Sequence, residues 1–72
     1  MADKVILRLP VVMFRTGLSR SSIYDRIKKS EFPEQINLGP RAVGWVAGEI
    51  EEWIQSRIDA SRSVTHPNFP TA

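Results

Sequence analysis

Few of these 72 residues carry groups that could do covalent chemistry, and none is placed to do it. Glu51 and Glu52 form the densest pair of carboxylates. Neighbours on a helix point about 100° apart, so the two cannot flank one substrate as acid and base. The one histidine, His66, stands next to Pro67 with no second ligand or base near it in sequence, as a metal or catalytic role would require. No cysteine is present, which removes disulfides, zinc thiolates and a thiol nucleophile together. The four glycines are isolated and make no phosphate-cradling loop. The sequence therefore predicts no catalytic residue, no metal, no cofactor and no enzyme.

What the chain does hold is a set of groups suited to a polyanion. Up to Ala47 it carries eight basic residues (Lys4, Arg8, Arg15, Arg20, Arg26, Lys28, Lys29, Arg41) against four acids, a net of +4. From Gly48 onward two basic residues face four acids, a net of −2. A basic front and an acidic back suggest that the front meets nucleic acid. With Ile23 at zero on a helical wheel, Ser21, Ser22, Asp25, Lys28 and Lys29 all point away from the Ile23/Ile27 side. Cations for phosphates and short polar groups for base edges are what a helix entering the DNA major groove needs. Arg20 can reach past the helix start toward a phosphate or a guanine, Ser19 precedes the helix, and Tyr24 sits on its flank. Asp25 has two readings: it accepts from cytosine N4, or it pairs within the helix with Lys28 or Lys29. The pairing is the favoured one.

These groups need a scaffold. The run Val5–Leu9 is β-prone, as a short strand or an extended lead-in. Pro10 suits the start of a helix on which Leu9, Val12, Met13 and Thr16 share a side, and Gly17 suits its left-handed cap. Ser19 is a good N-cap for a second helix from Arg20 to about Ser30, ended by Glu31-Phe32-Pro33. Residues 35–38 and 42–46 are β-prone and joined by Gly39-Pro40-Arg41, a hairpin with a basic tip. A third helix begins near Ala47, carries Ile50, Trp53, Ile54 and Ile58 on one stripe, and ends near Ala60. Both tryptophans fall among apolar neighbours and are core residues rather than stacking platforms. Residues 61–72 are polar, hold two prolines, show no period and are expected to be a disordered tail.

The expected fold class is α+β, mainly helical: a winged helix-turn-helix of three short helices and a small β-hairpin wing over residues 1–60. Arg41 at the wing tip would enter the minor groove, whose narrow A·T segments hold arginine. Val11 and Phe14 fall on the outer side of the first helix, and an exposed phenylalanine there suggests contact with another protein or with Phe69 of the tail. No apolar run is long enough for a membrane span and the start lacks a signal-peptide pattern, so a cytoplasmic, nucleoid-associated protein, monomeric in free solution, is expected. The alternative is a protein-interaction adaptor of antirepressor type. Such a module would carry apolar anchors on the outward face of the second helix, where this chain has lysines and serines.

The runs Leu9-Pro10, Thr16 to Tyr24, Phe32-Pro33, Leu38 to Trp45 and Glu49 to Ile54 resemble the AlpA-type prophage regulators. These belong with the excisionase-like winged-helix proteins related to the MerR DNA-binding domain. The resemblance covers residues 7–57. It implies sequence-specific binding of double-stranded DNA at an attachment site or integrase promoter of a prophage or genomic island. It implies action as an excisionase (recombination directionality factor), as a transcriptional regulator of the integrase, or both, with the integrase or further copies of the chain as partners. Within it, Asp25 stands where the family more often has a basic or neutral side chain. Val11 and Phe14 stand where charged residues are usual, and Gly48 where serine is common.

Overall fold

The computed structural model describes residues 4–63, so His66, Phe69 and the rest of 64–72 lie outside the described residues. Its elements run β1 (Ile6–Leu7), α1 (Leu9–Thr16), α2 (Arg20–Lys28), β2 (Ile36–Gly39), β3 (Ala42–Val46) and α3 (Ala47–Ser63). The order follows from local signals. Arg8 is extended, and its carbonyl accepts from the amides of Val11 and Val12 at 3.0 Å, with Pro10 in the first turn where its missing N–H costs no bond. Gly17 then adopts φ 75°, a left-handed conformation that a Cβ would disfavour, and its amide donates to the Met13 carbonyl at 2.8 Å. Thr16 pins the turn from the other side. Its hydroxyl donates to the Val12 carbonyl at 2.8 Å and accepts from the Leu18 amide at 3.2 Å.

Ser19 caps α2, its hydroxyl accepting from the Ser22 amide at 3.1 Å. The helix stops at Lys28, two residues short of the expected Ser30, because Ser30 itself turns left-handed at φ 60°. The Ser30 amide donates to the Ile27 carbonyl at 3.0 Å and the Glu31 amide to the Arg26 carbonyl at 2.7 Å. That paired pattern is a Schellman closure built on serine instead of glycine.

Two indoles hold the segment that follows. The Trp53 Nε1–H donates to the Glu31 carbonyl at 2.9 Å, and the Trp45 Nε1–H donates to the Pro33 carbonyl at 3.1 Å. Between these anchors Phe32 is buried, edge-on to Trp53 with ring centroids 4.8 Å apart. The sequence signals mark this stretch only as a helix breaker; in the fold Phe32 is a core residue.

The hairpin is part of a larger sheet. Residues 6 and 7 form a third strand, and the order is β1-β3-β2 with both pairings antiparallel. Ile6 lies opposite Val46 and Leu7 opposite Trp45, while Ile36 lies opposite Gly44. A bulge falls between Asn37 and Gly39, where the Asn37 side-chain oxygen accepts from the Gly39 amide at 3.3 Å. Gly44 permits the close approach of all three strands. A Cβ there would collide with Cγ2 of Ile6 and sit 3.1 Å from both Leu38 Cδ1 and the Leu7 carbonyl oxygen.

Strand β3 passes into α3 without a loop, and the Ala47 amide donates back to the Val5 carbonyl at 2.7 Å. The helix is not short, as expected, but 17 residues long, about 25 Å at 1.5 Å per residue. It passes the expected end at Ala60, so residues 61–63 are helical and not part of a disordered tail. The core is Leu7, Val12, Ile23, Phe32, Trp45 and Ile50, which draws on every element except β2. Each fully buried apolar side chain of this set contributes about 1.5–3 kcal/mol.

Candidate nucleic-acid interface

Ile23 is fully buried and fixes the rotation of α2 about its axis. Ser21, Asp25, Lys28 and Lys29 are thereby turned to solvent, as expected. Among the described residues no hydrogen bond or ion pair engages the side chains of Ser21 or Lys28. Lys29 Nζ lies 3.1 Å from Asp25 Oδ2, one turn away, and both side chains stay more than half exposed. The intrahelical pairing is therefore the arrangement the helix adopts. Ser19 and Ser22 are committed to each other: besides the capping bond, the Ser19 hydroxyl donates to the Ser22 hydroxyl at 3.1 Å. Their first task is to start the helix.

The flanks of α2 are fixed by aromatic contacts. On one, the Tyr24 ring meets Trp45 of β3 edge-on at 6.4 Å, and the Arg20 guanidinium lies over the Tyr24 ring at 5.9 Å. On the other, Arg26 lies over the Trp53 ring of α3 at 5.9 Å. Arg26 is absent from the sequence-based site set, and only the i, i+3 spacing from Ile23 hints that it lies on a flank. Such cation–π contacts contribute about 0.5–1 kcal/mol at exposed sites and keep long side chains extended along the helix. Beside Tyr24, the residues Ser21, Tyr24, Asp25, Ile27 and Lys28 line a shallow open depression.

Arg41 stands on a different element. The hairpin turns through Pro40 and Arg41, with Gly39 and Ala42 paired across it. Proline first and a positive φ second is the type II pattern, whose second position favours glycine. Here Arg41 holds φ 58°, exposed and without an ion pair among the described residues. The Tyr24–Trp45 contact ties α2 to the strand that follows this tip.

Val11 and Phe14 lie on α1, apart from both. They are 40% and 87% exposed, and Phe14 is the most exposed large apolar side chain among the described residues. Beside it, Arg15 bridges to Glu51 of α3 at 3.2 Å. Among the described residues no three His, Cys, Asp or Glu side chains come together as metal ligands would. No helix among the described residues is long and apolar enough to cross a membrane.

Residues 5–58 match the family model of the prophage CP4-57 regulatory protein, AlpA. The chain belongs to the AlpA family. A relative from Escherichia coli K12, the DNA-binding transcriptional activator AlpA, is 41% identical over 58 residues, covering 72% of this chain and 83% of that protein. An uncharacterized protein of Enterobacteria phage P4, ORF88, is 50% identical over 52 residues. That alignment covers 72% of this chain and 59% of the phage protein. The family model spans every element of the fold except residues 59–63 of α3.

Proposed function

We propose that this AlpA-family chain is a sequence-specific binder of double-stranded DNA, built as a winged helix-turn-helix. In this reading α2 enters the major groove, and the β2–β3 hairpin is the wing that carries Arg41 to the minor groove. The observation that carries it is the outward face of α2: Ser21 and Lys28 free, Lys29 held by one surface pair, and no large apolar side chain among them. The three-residue turn Gly17-Leu18-Ser19 between α1 and α2 supports the same reading. So does the relative named as a DNA-binding transcriptional activator.

Membership of a family of prophage regulators supports a biological setting as well. The chain acts at an attachment site or integrase promoter of a prophage or genomic island, as excisionase, as regulator of the integrase, or as both. The exposed Phe14 and Val11 favour a protein contact in addition, with a second copy bound at a neighbouring site. A mobility-shift titration on attachment-site and integrase-promoter fragments of the resident element tests the reading, with unrelated duplex as competitor. Binding that survives the competitor is expected. Equal affinity for all duplexes, or none, rejects it.

A further inference from the structure

The depression on α2 is out of character with its surroundings. The outward face is polar, yet at its edge the ring of Tyr24, the side chain of Ile27 and the stem of Lys28 line a hollow whose exposed surface is mainly hydrocarbon. Its walls are fixed. Tyr24 is held edge-on by Trp45 and covered by Arg20, while Ile27 is half-buried against the core. Exposed Ser21 and Asp25 complete the lining, and both side chains are short enough to leave the hollow open.

Among the groups that face a protein in the major groove, one is apolar and projects from a base edge: the C5-methyl of thymine. We propose that this depression receives one thymine methyl, so that Tyr24 and Ile27 determine specificity at a single base pair. The inference rests on the reading of α2 as the groove-facing helix. It assigns a base-reading role to two residues whose sequence positions mark them as flank and core. Lys28 then has two parts to play, its stem against the methyl and its ammonium on a phosphate.

The test removes the methyl from the DNA and not from the protein. A binding site is first selected from randomised duplex; each thymine in it is then replaced singly by deoxyuridine, and dissociation constants are measured. One position is expected to weaken binding about fourfold, the worth of one buried methyl group, while the other positions change little. The chain with Ser21→Leu, which fills the hollow from an exposed position, is expected to bind the thymine and deoxyuridine duplexes equally.

A selected site with no fixed thymine, or no loss at any deoxyuridine, overturns the proposal. So does a fourfold loss that persists in Ser21→Leu, since the methyl then lies elsewhere. Lys28→Ala, measured alongside, separates the two readings. If it also leaves affinity unchanged, α2 does not face DNA at all; if it weakens every duplex, α2 faces DNA and only the methyl contact is wrong.

Discussion

Asp25 and Lys29 hold their charges 3.1 Å apart across one turn of α2, on the face that carries the free ammonium of Lys28. A pair this exposed contributes about 0.2–0.5 kcal/mol to the helix, so its larger consequence is for binding. Lys29 must loosen its hold on Asp25 to reach a phosphate, and the carboxylate repels the same phosphate. Asp25→Asn should therefore tighten DNA binding without changing base preference. Lys28→Ala should weaken every sequence and flatten the log K against log salt slope by about one unit, whereas Lys29→Ala should flatten it less. A salt titration of the three variants checks the order. A changed preference at one base pair in Asp25→Asn would make the carboxylate a base reader.

Arg41 pays for its position in backbone strain. A residue with a Cβ at φ 58° sits where a type II turn favours glycine, at a cost of about 1–2 kcal/mol. Arg41→Gly should thus raise stability in urea by up to about 1 kcal/mol and at the same time weaken DNA binding. The loss should be greater on A·T-rich than on G·C-rich flanks, because the narrow groove holds the guanidinium better. Equal losses on both flanks would reduce Arg41 to a phosphate contact.

Two further positions predict stability changes of opposite sign. Ser30 closes α2 in a left-handed conformation, so Ser30→Gly should stabilise the domain by about 0.5–1 kcal/mol. Gly44 lies where Ile6, Leu38 and the Leu7 carbonyl close in, so Gly44→Ala should cost about 1–3 kcal/mol through overpacking. Chemical denaturation of the pair reads both. A neutral Gly44→Ala would mean that β1 can move away from β3 without loss.

These cases mark what the sequence makes legible. Ser19, Gly17, Ile23 and the Ile50 stripe announce themselves, because caps and helical periods are local chemistry. Phe32 does not, and the strand expected within Val5–Leu9 gives no sign of which strand it pairs with. Phe32 becomes core because Trp53, 21 positions along, packs edge-on against it, and a two-residue strand exists only through its partner β3. The outward set on α2 is legible once Ile23 and Ile27 fix the rotation of the helix. The mutual bonding of Ser19 and Ser22 and the depression beside Tyr24 depend on rotamers and on neighbours from β3, which spacing does not encode.

Phe14 raises the question of size. Its ring is 87% exposed and next to the Arg15–Glu51 bridge, with Val11 one turn away on the same helix. Burying such an aromatic contributes about 1.5–3 kcal/mol. A dissociation constant of 1 mM already needs about 4 kcal/mol, so this contact alone does not hold two copies together in solution. On DNA the second copy is delivered by its own site, and the same energy then multiplies affinity about 10- to 150-fold. Phe14→Ser should accordingly leave binding to a one-site fragment intact and abolish cooperative filling of a fragment with neighbouring sites. Footprint titrations on the two fragments make the comparison. Unchanged steepness on the multi-site fragment would remove the second copy from the role proposed for this face.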